Sequence, residues 1–330
     1  MKSSVITSGI FADHNDPGHP ESNDRLVLAL SGVPAGVKRI EAKPAAAEDL
    51  VRIHTPEHIA GIRALSSRCG QGRPCYLDPD TYVTSRSFEA AAAAAGAACM
   101  ALERAESGEH CFALVRPPGH HAMPSRAMGF CLFNNVAIAV AGALKHLNRI
   151  AIVDWDVHHG NGTQAIFYGS DRVLYCSVHE MGNFPGTGWP AERGAGSGIG
   201  YTINAPLERR SGAADYRLVF EEVFLPAIDA FGPDLLVISA GQDTLFDDPL
   251  GSMALYPADY GAMTRMIMEA ADLGVALVLE GGYSPSHGEA IAWIFRALSG
   301  YAVEWSAGAP KEHTRALCRL LCGSEEIPPV

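Results

Sequence analysis

Asp154-Trp155-Asp156-Val157-His158-His159 packs two carboxylates and two imidazoles behind a short apolar run, Ile150 to Val153. Carboxylate oxygens and ring nitrogens are the donor atoms that zinc and iron(II) accept. Asp156 and His158 stand two apart, so in an extended chain their side chains leave on the same side. Together they would make half of a metal site. The Gly160-Asn161-Gly162 that follows ends the strand and turns the chain. Ionisable groups beside a buried strand are costly to hide unless something compensates them.

Three further groups of the same kind occur along the chain. His120-His121 follows Arg116-Pro117-Pro118-Gly119, Asp243 closes Ala240-Gly241-Gln242-Asp243, and Tyr283 closes Glu280-Gly281-Gly282-Tyr283. Asp156, His158 and Asp243 make a three-ligand oxygen and nitrogen set, which leaves a position open for water and substrate, as catalytic sites do. Zinc fits this set best, and iron(II) fits the same ligand types. A metal lowers the pKa of bound water and polarises a carbonyl. His121 or His120 could take the proton, and a phenol on a Gly-Gly turn could donate to a developing oxyanion. The chemistry these parts describe is metal-assisted hydrolysis of an amide. Taken singly, each has an ordinary structural explanation; the joint pattern carries the reading.

Strands and helices must bring these groups together, because more than a hundred residues separate some of them. Strands are predicted at Ser4–Thr7, Cys111–Val115, Ile150–Val153, Val173–Val178, Leu235–Ser239 and Val275–Leu279. Helices are predicted from Thr55-Pro56, with Thr55 as N-cap, and over Ser85–Glu103, Cys131–Leu147, Ala213–Phe231, Ala258–Ala271, His287–Leu298 and Glu312–Leu321. Gly96 inside the Ala-rich helix suggests a close helix contact. Asp13–Arg25, Leu77–Thr81 and Gly182–Gly200 read as loops. Alternation of this kind implies an α/β fold, with a central, mainly parallel sheet flanked by helices. The His120-His121, Asp154-to-His158, Asp243 and Tyr283 groups all follow strands, and ligands bind at the carboxyl ends of such sheets. No repeat or linker interrupts the pattern, so residues 1–330 are expected to form a single catalytic domain.

Bulk properties narrow the class. Of 330 residues, 48% are hydrophobic and 19% charged, which supports a large core and argues against disorder. The net charge of −12 argues against nucleic-acid binding and suits a cationic substrate or partner. The longest apolar stretch, Ala90–Leu102, is too short to span a bilayer, and Met1–Phe11 has no signal-peptide core, so no membrane partner is expected. The eight cysteines include no Cys-x-x-Cys and fit reduced thiols in a cytoplasmic protein better than a disulfide framework.

Arg116-Pro117-Pro118-Gly119-His120-His121-Ala122, Gly129-Phe130-Cys131, Asp154 through Gln164, and Glu280-Gly281-Gly282-Tyr283 occur in an order that resembles the histone deacetylase family. The form is the class II-like one of bacterial and archaeal deacetylases and acetylpolyamine amidohydrolases. The resemblance runs from His19-Pro20-Glu21 to Tyr283. It implies the arginase/deacetylase-like α/β fold and a zinc-dependent deacetylase acting on an acetylated lysine peptide or protein, or on an acetylpolyamine. By matching position it implies Asp156, His158 and Asp243 as metal ligands, His121 as general base and acid, and His120 as its electrostatic partner. Tyr283 would polarise the carbonyl, Asp154 orient His120, and Asn161 contact His121. Gly129, Phe130 and Phe184 resemble the walls of an acyl-lysine tunnel, and Arg25 an arginine below the metal that handles the acetate product. The family also carries structural K+ sites. Asp154, Asp156, His158, Ser177 and Val178 match the inner one, and Phe167, Ser170 and Val173 part of an outer one. One departure is Gln242, where many relatives carry an aromatic residue; it puts the packing or hydrogen bonding there in doubt.

Two other functions fit parts of the pattern. A two-manganese ureohydrolase on the same fold would need further bridging carboxylates, but Gly160 follows the histidine pair and Leu245 sits two beyond Asp243. A non-catalytic sensor of acetylated ligands would not need Tyr283 and both histidines. Substrate choice rests on the width of the mouth, set by the three loops or narrowed by a partner subunit of a homo-oligomer.

Overall fold

The computed structural model describes residues 2–70, 73–270 and 274–323. Ten strands are found among them: β1 (Ser3–Thr7), β2 (Lys38–Glu41), β3 (Cys75–Tyr76), β4 (Tyr82–Val83), β5 (His110–Ala113), β6 (Ile150–Asp154), β7 (Val173–Glu180), β8 (Thr202–Leu207), β9 (Leu235–Ala240) and β10 (Val275–Leu279). Eight form one sheet in the order β2-β1-β5-β10-β9-β6-β7-β8. Every pairing in it is parallel. The α/β architecture with a parallel central sheet is therefore as expected.

Successive side chains of a strand point to opposite faces. In β5, β6, β9 and β10 every residue is buried, so both faces of the central strands are covered. That is why they read as nearly continuous apolar runs rather than as an alternation. The edge strand β2, Lys-Arg-Ile-Glu, is mostly exposed, and its charges discourage pairing with another chain. The same charges hide it from a search for apolar runs. β8 carries no continuous apolar pattern either, because Asn204 and Pro206 interrupt it.

The helices are α1 (Asn23–Ser31), α2 (Ala47–Leu50), α3 (Pro56–Arg68), α4 (Ser87–Glu106), α5 (Asn135–Ala143), α6 (Asn161–Phe167), α7 (Ala213–Val219), α8 (Leu225–Phe231), α9 (Pro257–Ala270), α10 (His287–Leu298) and α11 (Glu312–Leu321). Thr55 caps α3, its hydroxyl accepting from His58 N at 3.2 Å. The Ala-rich α4 packs against β5, β10 and α5. Its Gly96 does not face a helix: a Cβ there would lie 1.9 Å from Lys43 O and 2.6 Å from Ala45 N, so the neighbour is the extended segment before α2. α5 starts later than its apolar run, because Asn134 caps it by accepting from Ala137 N at 3.0 Å. The predicted 213–231 helix is two helices joined through a π-helical turn, Phe220–Phe224. Residue 271, the predicted end of α9, lies outside the described residues.

The Leu77–Thr81 loop is the turn of a small antiparallel hairpin, β3–β4. A disulfide joins Cys69, after α3, to Cys75, at the start of that hairpin. The expectation of reduced thiols fails for this pair, six residues apart in sequence with Cα atoms 5.9 Å from each other. Among the described residues no helix is long and apolar enough to cross a membrane.

Candidate metal centre

The four chemical motifs follow β5, β10, β9 and β6, which are consecutive neighbours in the middle of the sheet. Strands about 4.8 Å apart place four neighbouring ends within about 15 Å. Residues far apart in sequence therefore meet at one rim. They line a cleft of about 500 Å³ that includes His120, His121, Asp156, His158, Gly281 and Tyr283.

Asp156, His158 and Asp243 each offer a ligand atom, all within 4.8 Å of one another. The strand ends at Asp154, so it is a turn, not strand alternation, that brings Asp156 and His158 together. Asp156 Oδ1 accepts from His158 N at 2.9 Å and lies 3.1 Å from His158 Nδ1. His158 Nδ1 also lies 3.2 Å from Asp243 Oδ2. Asp243 Oδ1 accepts from Val157 N at 2.8 Å, but the buried Oδ2 has only that imidazole contact and no well-aligned hydrogen bond. Among the carboxylates, Asp156 is held low: burial opposes its ionisation, but His120 and His158 outweigh it. Asp243 is pushed up by burial and then by the charge of Asp156. Two buried carboxylates that cannot both ionise comfortably lack a cation.

Backbone shape preserves the room for one. A Cβ at Gly241 would lie 2.0 Å from Asp156 Oδ2, and one at Gly281 would lie 1.9 Å from Asp243 Oδ2. A carboxylate oxygen without a well-aligned hydrogen bond, a convergent imidazole and two positions that tolerate only glycine together fit a single divalent ion. The donor set is the oxygen and nitrogen set of a catalytic zinc site.

Beside the trio, His120 Nδ1 lies 3.1 Å from Asp154 Oδ2, which also accepts from Tyr175 OH at 3.0 Å. Burial disfavours the His120 cation, but Asp156 and Asp154 prevail and raise its pKa to about 10. His121 is the opposite: burial, then the charges of His120 and His158, push it well below the ordinary imidazole value. Its Nδ1 bonds Asn161 Oδ1 at 2.8 Å, while Asn161 Nδ2 faces the sulfurs of Met123 and Met128, each at 3.5 Å. With the amide so oriented, Nδ1 carries the hydrogen and Nε2 is left as the basic nitrogen. The phenol of Tyr283 is raised well above its ordinary value, chiefly by burial, and stays a donor.

The remaining predicted residues fall around this centre. Gly129, Phe130 and Phe184 line the cleft. Phe130 meets the Tyr283 ring edge-on at 6.0 Å, and Phe184 meets His121 edge-on at 5.0 Å. A Cβ at Gly129 would come within 2.5 Å of the His121 ring, so this wall must be glycine. Arg25 is buried; its Nε donates to Gly282 O at 2.9 Å, Nη2 donates to Glu280 O, and the guanidinium sits 5.0 Å over the Tyr283 ring. Asp154 and Ser177 are opposite one another across β6 and β7, with Val178 next to Ser177 and Asp156 and His158 following Asp154. Phe167 ends α6, Val173 begins β7, and Ser170 lies between them, its N donating to Phe167 O at 2.9 Å.

The doubt over Gln242 resolves into a hydrogen-bonded pair. Its Nε2 donates to Ala240 O at 2.7 Å, and its Oε1 lies 2.9 Å from His287 Nε2. Four supporting residues were not singled out from sequence. Glu280 accepts from Gly119 N at 2.7 Å and His120 N at 3.0 Å, fixing the histidine pair. Glu21 and Arg116 form a buried ion pair under the same loop, with Nε to Oε1 at 2.7 Å. Asp248 accepts from Tyr283 N at 2.6 Å. Three of them, Glu21, Arg116 and Glu280, lie inside the quoted motifs, each beside a proline or glycine that fixes the backbone.

Comparison with known proteins agrees with this geometry. Residues 19–298 match the histone deacetylase domain. A probable deacetylase of Archaeoglobus fulgidus is 41% identical over 299 residues, covering 86% of this chain and 82% of that protein. A histone deacetylase-like amidohydrolase of Pseudomonas aeruginosa is 40% identical over 279 residues, covering 81% of this chain and 72% of that protein. The crystal structure of the HDA15 HD domain superposes with a TM-score of 0.89 at 34% identity, covering 98% of this chain and 93% of that one.

Proposed function

The chain belongs to the histone deacetylase family, and from that premise we propose that it removes acetyl, or another short acyl group, from lysine side chains of a peptide or protein. The observation that carries the reading is the trio Asp156, His158 and Asp243, whose ligand atoms converge within 4.8 Å, with Asp156 and His158 lining an apolar-walled cleft. The trio would hold one divalent ion, Zn2+, with Fe2+ satisfied by the same donors. Such an ion supplies an activated water and polarises the acyl oxygen.

The chain's own groups do the rest. Phe130, Phe184 and Gly129 flank the uncharged acyl-lysine stem and exclude water from it. His121 takes a proton at Nε2 and later delivers it to the departing amine, held in that tautomer by Asn161. His120, protonated against Asp154, offsets negative charge near the reacting carbonyl. Tyr283 donates its phenolic hydrogen to the acyl oxygen as charge develops there. Arg25, below the Tyr283 turn, would meet the carboxylate product only by giving up one of its bonds to Glu21, Glu280 O or Gly282 O. Asp154, Asp156, His158, Ser177 and Val178 would hold a structural K+ behind the metal, and Phe167, Ser170 and Val173 a second. We read residues 1–330 as one catalytic domain working in the cytoplasm.

An acetylpolyamine is the second reading, favoured by the net charge of −12 and by Asp78 and Asp80 at the mouth. Two observations favour lysine instead. Asp78 is engaged by Thr81, accepting from its N at 2.6 Å and its hydroxyl at 3.0 Å. Arg126, exposed at the same mouth, would repel the distal cation of a polyamine. The test compares kcat/KM for an acetyl-lysine peptide with that for acetylspermidine and acetylputrescine in the zinc-loaded enzyme. The peptide is expected to win; the reverse order reassigns the substrate. Tyr283→Phe should lower turnover by about 100-fold or more, the scale for losing an oxyanion donor. Undiminished turnover would remove Tyr283 from the mechanism.

A further inference from the structure

We propose that Asp248 is a positioning residue whose carboxylate aims the phenol of Tyr283 at the reacting carbonyl. The inference rests on the role given to Tyr283 above. β10 stops at Leu279, and beyond it only Glu280 N, donating to Ala240 O of β9 at 3.4 Å, and Gly281 O, accepting from Gln242 N at 3.0 Å, still bond the neighbouring segment, although residues 280–282 are buried and Tyr283 half-buried. Buried N–H and C=O groups need partners. The other groups of the turn find them in side chains from three places. Gly281 N donates to Asp156 Oδ2 at 2.7 Å, and Tyr283 N donates to Asp248 Oδ2 at 2.6 Å. Glu280 O and Gly282 O both accept from Arg25. The tyrosine is thus slung between a metal ligand on one side and Asp248 on the other.

Asp248 reaches this position because it lies five residues beyond the third ligand, in the segment that leaves β9. Its other oxygen accepts from Leu250 N at 2.9 Å, and Leu250 lines the cleft. One carboxylate therefore fixes both the phenol's backbone and a piece of the tunnel wall. The residue before it adds a second grip: Asp247 accepts from the hydroxyl of Ser284 and, at 2.7 Å, from that of Ser286. Asp248 is only 6% exposed, so water cannot take over its bonds. A carboxylate offers acceptors at both ends; an amide offers one, and its NH2 would face an N–H.

The experiment is a double-mutant cycle on the zinc-loaded enzyme with an acetyl-lysine peptide, comparing wild type, Asp248→Asn, Tyr283→Phe and the double variant. Asp248→Asn should lower kcat by about 10- to 100-fold, the cost of a misplacement of about 1 Å, with a smaller change in KM and zinc retained. In the Tyr283→Phe background the same substitution should cost less than about 2-fold, because groups acting through one another are not additive. An equal cost in both backgrounds overturns the proposal while leaving the role of Tyr283 intact. Full activity in Tyr283→Phe overturns that role and, with it, this inference. Should Asp248→Asn not fold, Asp247→Asn, half exposed, is expected to show the same non-additive pattern at a smaller size. A crystal structure of the folded variant decides independently of substrate: a phenol displaced from the cleft supports the proposal, and one left in place refutes it.

Discussion

Two buried charged clusters lie within a few residues of each other, and they are finished differently. Around Glu21 every charge is met. Arg116 donates Nε to Oε1 at 2.7 Å and Nη2 to Oε2 at 2.9 Å, Arg25 adds Nη1 to Oε1 at 3.1 Å, and Tyr82 OH donates to Glu21 O at 2.7 Å. His14 stacks on Tyr82 with ring centres 4.5 Å apart. Around Asp243 the account is left open: three aspartates and two histidines converge, and one carboxylate oxygen has no well-aligned hydrogen bond. A closed cluster needs nothing from solution and serves to hold the loops. An open one is stable only with a guest, and that is where the chemistry sits.

The sharpest way to break this contrast is Asp243→Asn. Turnover should fall to background and zinc affinity by more than about 100-fold, beyond the loss caused by disturbing a ligand's supporting partner. Without metal, the same variant should melt no lower than wild type, since it removes a buried carboxylate crowded by Asp156. Wild type should gain stability on zinc addition, by about 2.7 kcal/mol when zinc is at 100 times Kd, and the variant should not. Calorimetry with and without zinc measures both. A metal-free variant that melts well below wild type would mean that Asp243 is already satisfied by protein alone.

Glu21→Gln should do the reverse. It leaves Arg116 underpaired in a dry site, at a cost of about 3–5 kcal/mol. The loss should be the same with and without zinc, because no metal completes this cluster. Acid should show the same asymmetry. Burial resists ionisation of Glu21, but Arg116 outweighs it and holds the carboxyl well below the usual range. A depressed folded pKa gives stability that is fully present above the ordinary glutamate value of about 4.3 and is lost as pH falls through the folded value. Urea titrations of the metal-free protein between neutral pH and about pH 3 should therefore show wild type losing its advantage over Glu21→Gln as the pH drops. A constant gap across that range would remove Glu21 as the titrating group.

How much of this could be read from sequence follows the same division. Asp156, His158, His121 and Tyr283 were legible because each sits a few residues past an apolar run, and parallel strands deliver such residues to one edge. α10 and β10 were bounded correctly because their patterns end in Gly or a polar turn. The strands β2 and β8 were not seen, since edges carry charge or interruptions in place of a core pattern. The supporting carboxylates Glu21, Asp248 and Glu280 escaped for another reason. Their partners are backbone groups or arginines far away in the chain, and nothing in local spacing encodes a contact such as that between Glu280 and Gly119.

The smallest test concerns Gln242, which the family resemblance matches to a position expected to carry an aromatic ring. Restoring a ring by Gln242→Phe should not stabilise this chain. His287 is fully buried, and burial followed by the charge of Arg25 lowers its pKa to about 3, so it stays neutral and offers one N–H. That N–H meets Gln242 Oε1 at 2.9 Å. A phenyl ring would leave it orphaned, at a cost of about 1–3 kcal/mol, and would also withdraw the donor from Ala240 O. The aromatic residue should become acceptable only when the histidine is removed with it. The double variant Gln242→Phe, His287→Leu is therefore expected to melt above the single Gln242→Phe, with zinc binding unchanged throughout. Additive losses in the cycle would show that the two side chains are not one unit, and that the ring's absence reflects packing alone.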